Sequence, residues 1–317
     1  MIAGEDRRDG EREKALYSIL HDMNWVLPLR NDLATTVFYG FTFLGYAPFF
    51  LIFLPIGYWL WDRDMFTRLV VLIGLTAVLN GWLKDFWQDP RPAARFQLDA
   101  DRVADSYGRP SGHAQVAVAM WFWLAWELRR PWAWIGAAII AAGVIFSRLY
   151  LGVHDIDDVL AGTILGFITL GIFAWLVSER VIAFIRDLPA GFEFAVIIVS
   201  IPALWIIWPN GENPAPIASV LFLMLGWFAG AALDRKAAPH KPVLPAWWLQ
   251  IVMAIGGTLG LFALRAGATK LVVATGLGHP VTGLAVSALL GFYATGIAPW
   301  IFRKLRLMKP GTSHAMA

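Results

Sequence analysis

Ser147-Arg148-Leu149-Tyr150-Leu151-Gly152-Val153-His154-Asp155-Ile156-Asp157-Asp158 lies in the seam between two long apolar runs and sets a cation, an imidazole and three carboxylates there. Charge is costly in a bilayer, so ionisable groups in or beside a membrane span are functional candidates by default. If a helix begins near Asp158, that carboxylate sits one turn after His154, on the same face. It can then hold one imidazole N–H and leave the other nitrogen free to attack or to take a proton. Taken alone, the same pair also reads as a helix-capping Asp beside an interfacial His.

The rest of the chain makes the membrane reading firm. Of 317 residues, 58% are hydrophobic and 15% charged, and the mean hydropathy is +0.59. Soluble domains carry about a quarter charged residues. Many of the 17 Trp lie near the ends of apolar runs, as in an interfacial aromatic belt. The net charge of +3 gives no reason to expect a nucleic-acid partner, because the cations sit mostly in short loops between apolar runs. With no Cys there is no disulfide framework and no thiolate site. The N-terminus is charged and mixed in sign, which is not the pattern of a cleavable signal peptide.

About nine apolar runs follow, at roughly 33–61, 66–87, 112–128, 132–150, 156–177, 191–208, 215–233, 243–264 and 279–302. A span needs about 20 residues. The first run is long and predicts a tilt, or a bend near Gly45 and Pro48. Before it, Leu16, Ile19, Leu20 and Met23 recur at helical spacing, predicting a short interfacial helix that ends near Pro28. We divide the chain into a polar N-terminal segment (1–32), a membrane core (33–189), additional membrane helices (190–302) and a basic tail (303–317). Most Lys and Arg fall in loops 62–68, 129–130, 178–189, 234–241 and the tail. The positive-inside rule makes that side cytoplasmic. The loops at 84–111 and 148–155 then face the periplasm, lumen or exterior, and the absence of Cys with the compact loops suggests a bacterial inner membrane.

Two further polar clusters reach the same side as His154: Lys84 with Arg91-Pro92, and Pro110-Ser111-Gly112-His113. Singly, Lys84 and Arg91 read as snorkelling anchors, and Ser111 as a helix N-cap. Together, in this order and spacing, the three clusters resemble the signature of the type 2 phosphatidic acid phosphatase superfamily: K-x6-R-P, P-S-G-H and S-R-x5-H-x3-D. The resemblance implies an all-α, polytopic membrane helix bundle with a catalytic core and about three to four extra C-terminal transmembrane helices. It implies His154 as nucleophile, Asp158 as its orienting carboxylate, and His113 as general acid and then base. Lys84, Arg91, Arg148 and the Ser111–Gly112 helix start would bind phosphate, with no metal and no cofactor. Physical chemistry agrees. A phosphate monoester nears a dianion at pH 7, and fixed cations, arginine forks and helix-start amides suit it. Phosphoryl transfer also asks for charge stabilisation on the equatorial oxygens.

The expected activity is hydrolysis of a lipid phosphate monoester (phosphatidate, lysophosphatidate or a sphingoid phosphate) or a polyprenyl pyrophosphate, through a phosphohistidine, on the non-cytoplasmic face. The alternatives are a phosphotransferase of the same fold and a non-enzymatic membrane binding or transport protein. The C-terminal runs loosely resemble those of sphingosine-phosphate-type phosphatases. Gly226-x3-Gly230 permits close helix packing. Asp155 and Asp157 read as solvated acids at a helix start, with Asp157 a second candidate to orient His154. Asp85 and Asp89 read as solvated or as partners of Arg95 or Arg102. Asp234 reads as an anchor, and His21, His240, His279 and His314 as loop, cap or tail residues.

Overall fold

A computed structural model describes residues 19–103, 106–187, 191–240, 242–275 and 279–309. Leu16 and His314 lie outside the described residues. The described chain is helical, apart from one β-bridge between Val243 and Lys309. We number the helices α1 (Asp32–Phe43), α2 (Ala47–Leu60), α3 (Arg63–Trp87), α4 (Gly112–Leu128), α5 (Pro131–Tyr150), α6 (Ile156–Leu176), α7 (Glu179–Arg186), α8 (Phe192–Ile207), α9 (Ala215–Ala237), α10 (Trp247–Thr275), α11 (His279–Phe292) and α12 (Ala298–Lys304). A single π turn, Tyr293–Ile297, joins α11 to α12.

Among the described residues, six helices are long and apolar enough to cross a membrane, and a seventh span forms if the bent pair α1 and α2 counts as one. The chain is therefore a multi-pass membrane protein. The sequence count of about nine differs by α4 and α8, which are only 17 and 16 residues long. The bend expected in the first run is real: α1 and α2 meet at 56°, across Leu44-Gly45-Tyr46. Pro48 near the start of α2 has no N–H to continue the α1 ladder. The run expected to end at 264 continues as helix to Thr275. Arg265 is exposed, and such a cation does not interrupt a backbone ladder.

The chain forms two compact units, one from the residues up to Phe49 with Val78–Trp175, the other from Phe50–Ala77 with Leu176 onward. In the first unit, small residues let backbones approach. Gly162 and Gly166 of α6 lie against α4, where a methyl group would overlap the Ser111 carbonyl and crowd Val118. Ala117 of α4 packs on Ala141 and Val144 of α5, and Ala125 on Ala133 and Ala137. Beneath the helix starts runs a buried polar chain. Asn80 donates to Pro110 O at 3.2 Å and to Gln115 Oε1 at 2.9 Å, and Gln115 donates to Thr169 at 3.0 Å. It ties α3, α4 and α6 together without leaving a polar group stranded.

In the second unit, Gly226 and Gly230 of α9 do pack closely, against the backbone at Ala288 and against Thr295. Asp234 is not an exposed anchor. It is 1% exposed, accepts from Tyr58 Oη at 3.1 Å, and pairs with Arg63 Nε at 3.2 Å and with Arg303.

Candidate active site

The first unit carries all three clusters. The five residues between Arg148 and His154 are a helix ending. Leu151 caps α5 and Gly152 follows at φ 68°. The Gly152 N–H reaches Leu149 O at 2.9 Å and the Val153 N–H reaches Arg148 O at 3.2 Å. This paired closure is a Schellman motif, which wants glycine at its left-handed position. It reverses the chain and leaves Arg148 in the last turn of α5, with His154 in the loop beyond.

Helix α6 then starts with a reciprocal cap. Asp155 Oδ1 accepts the Asp158 N–H at 3.0 Å, and Asp158 Oδ2 faces the Asp155 N–H at 3.4 Å. This is the geometry of a capping box, built from two aspartates. Asp158 Oδ2 also takes His154 Nδ1 at 2.8 Å, with both side chains essentially buried. The Nδ1 proton is thereby fixed, and Nε2 carries the lone pair.

Nε2 lies 3.3 Å from Arg91 Nη1. Arg91 is held by Val153 O and Ser106 O, each at 2.6 Å. Burial, then the neighbouring Arg148, pushes Arg91 down to about 10, so it stays cationic at neutral pH. Lys84, in the last turn of α3, donates to Tyr107 O and, at 2.8 Å, to Gly108 O. Arg148 is 1% exposed and donates to Thr42 Oγ1 and to Tyr46 Oη at 3.3 Å. His113 stacks edge-on to the Tyr46 ring at 4.7 Å and bonds to the Thr42 backbone carbonyl. Gly45 makes room for the His113 ring, which a methyl group would strike.

Several buried polar atoms in this group have no protein partner: Ser111 Oγ, His113 Nε2, Arg148 Nε and Asp158 Oδ1. Ser111 occupies the cap position of α4, but its hydroxyl makes no cap hydrogen bond. Its backbone N–H donates to Asp158 O at 2.9 Å, so that amide is not available to an anion. Unsatisfied buried donors are costly unless a ligand completes them. His154 is held well below the usual imidazole range, chiefly by burial and then by Lys84, Arg91, Arg148 and His113. It is therefore neutral at pH 7.

Other expectations resolve differently. Asp157 does not share His154; it pairs with Arg109, whose guanidinium lies 4.9 Å from the centre of the Trp87 ring. Arg102 pairs with Asp99 at 3.5 Å, and Arg95 sits over Phe96. Asp155 is not a solvated acid. It is 4% exposed, and its Oδ2 lies 2.6 Å from His21 Nδ1. Thr42, Tyr46, Asp155 and His21 thus touch the candidate site residues, which the sequence reading did not expect. Only Asp155 had a sequence signal, its capping spacing to Asp158.

A neutral imidazole oriented by Asp158, with Arg91 at 3.3 Å and Lys84 and Arg148 close by, is an arrangement suited to a multiply charged anion. Residues 66–182 match the PAP2 superfamily, and residues 218–310 match the transmembrane extension of PAP2 superfamily phosphatases. The chain belongs to the PAP2 superfamily. It is 31% identical over 155 residues to dihydrosphingosine 1-phosphate phosphatase YSR3 of Saccharomyces cerevisiae, covering 44% of this chain and 38% of that one. It is 23% identical over 292 residues to lipid phosphate phosphatase delta of Arabidopsis thaliana, covering 86% of this chain and 64% of that one. It is 30% identical over 154 residues to phosphatidylglycerophosphatase B of Bacillus subtilis, covering 44% and 73%. The chain thus spans less than two thirds of the first two relatives' own length.

Proposed function

We propose that the protein hydrolyses a lipid phosphate monoester on the non-cytoplasmic face of its membrane, without a metal ion. The observation that carries this is the group of buried atoms with no partner, Ser111 Oγ, His113 Nε2 and Arg148 Nε, gathered around the His154–Asp158 pair. A phosphoryl group supplies the acceptors those donors lack. Lys84, Arg91 and Arg148 neutralise the equatorial oxygens, the role a metal ion takes elsewhere.

In the first step His154 Nε2 attacks phosphorus. The P–O bond to the lipid breaks, and protonated His113 gives its Nε2 proton to the departing alkoxide. Asp158 keeps the Nδ1 proton in place and stabilises the charge that develops on the ring. In the second step neutral His113 takes a proton from water, the water oxygen bonds to phosphorus as the P–N bond to His154 breaks, and inorganic phosphate leaves. The relatives' names support a lipid phosphate as substrate, with a sphingoid phosphate, phosphatidate and phosphatidylglycerophosphate as the first to test.

The test is phosphate release from that panel by purified protein in detergent with EDTA, wild type against His154→Ala. Release that survives EDTA and vanishes in the variant is expected. Wild type and variant alike releasing no phosphate from any lipid would overturn the reading, and would favour transfer to an acceptor or a binding role.

A further inference from the structure

Asp155 commits both carboxylate oxygens: Oδ1 to the Asp158 N–H at 3.0 Å, and Oδ2 to His21 Nδ1 at 2.6 Å. Its side chain is 5% exposed. Asp155 and Asp158 are therefore two buried carboxylates within one turn, flanking the backbone that carries His154. Buried carboxyl groups this close need hydrogen-bond partners of their own. Asp158 has the His154 ring. For Asp155 the partner comes from far off in the sequence.

The segment that brings His21 is fastened by other contacts. Met23 and Val26 are each 1% exposed and pack on Phe96. Arg30 donates to Phe96 O and, at 3.0 Å, to Tyr150 O. The Asn31 N–H reaches Tyr150 Oη at 3.2 Å. The fastening points thus include the last turn of α5, just before the Schellman ending that leads to His154. The segment is held at the same stretch of chain whose geometry sets the nucleophile.

We propose that His21 is a positioning residue for the nucleophile. It holds Asp155, so that the reciprocal Asp155–Asp158 cap stays closed and Asp158 keeps the His154 ring in its attacking orientation. This rests on the reading of His154 as nucleophile. A group that acts through a partner in this way changes turnover more than substrate affinity.

The test uses the full chain in detergent, with 15N-labelled histidine, as wild type, His21→Ala, His21→Gln and Asp155→Asn. The His154 ring N–H resonance is assigned by its loss in His154→Ala. It should shift in His21→Ala and return towards its wild-type position in His21→Gln, whose amide can donate to Asp155. In phosphate release from phosphatidate micelles, His21→Ala should lose about tenfold in kcat, the lower range for removing a supporting partner, with KM little changed. His21→Gln should recover most of that loss. Adding His21→Ala to Asp155→Asn should cost nothing further, because the two act as one unit. An unmoved His154 resonance in His21→Ala overturns the proposal. So does a loss that falls on KM and adds in full to that of Asp155→Asn. If the wild type releases no phosphate, the phosphatase reading fails by itself and the resonance still decides the positioning role.

Discussion

At the scale of single residues, His154 and Asp158 carry the proposed chemistry, and their environments make separate predictions. Asp158→Asn keeps the shape but lets the ring adopt the wrong tautomer. It should lower kcat by roughly 10³–10⁴-fold, by analogy with the same change in a Ser-His-Asp triad, with Tm in detergent changing far less. The depressed His154 makes stability depend on pH with a definite sign. Above about 6.5 the ring is neutral in both the folded and the unfolded chain and contributes no difference. Below that value the unfolded chain takes up a proton that the buried ring refuses, so stability falls on acidification until the folded value is reached. Thermal unfolding at pH 7.5 and 5.5 should show a smaller acid loss in His154→Asn than in the wild type. These residues stood out because their order and spacing resemble a family signature. Lys84, Arg91, Ser111, His113, Arg148, His154 and Asp158 mark span ends, where charge is rare enough to be read. Tyr46 and Thr42 were not legible. They lie in an apolar run, and only the bend at Gly45 brings them to Arg148 and His113.

At the scale of elements, the site depends on how closely α6 approaches α4. Gly162 has the Ser111 carbonyl where a side chain would begin, whereas Gly171, further along the same helix, has nothing nearby. Gly162→Ala should therefore destabilise by about 1–3 kcal/mol, the usual cost of overpacking, and reduce activity by moving Ser111 and Asp158 apart. Gly171→Ala should leave both close to wild type or slightly raise stability. Thermal unfolding and phosphate release on the two variants check this together. Equal effects would mean that the glycine acts only through helix propensity. Hydropathy located α4, α5 and α6 to within a residue or two, because each is bounded by a clear stop: Arg129-Arg130-Pro131, or the Gly152 turn. It misjudged α10, where isolated exposed cations resemble a loop in composition but leave the backbone ladder intact.

At the scale of the whole molecule, the membrane class follows from composition, and the number of spans depends on helix length, which composition alone sets poorly. The second unit is held by a buried Asp234 between Arg63 and Arg303. Asp234→Ala should cost about 3–5 kcal/mol, because it strands two guanidinium groups largely out of water; the unfolding midpoint in detergent reads this directly. Orientation is a separate proposal. The chain has no native Cys, so single cysteines report cleanly. A membrane-impermeant maleimide applied to intact cells should label Asp101→Cys and spare Arg130→Cys, and the opposite pattern would reverse the assignment of sides.

The central claim is that His154 carries the phosphoryl group. Rapid acid-free quench of the enzyme turning over a 32P-labelled lipid phosphate, followed by peptide mapping, tests it most directly. The account predicts a covalent phosphoryl group that is stable to base, lost in acid and mapped to the peptide containing His154, and that is absent in His154→Ala. Hydrolysis that proceeds with no trapped phosphoryl group, or with one mapped to another residue, would contradict it.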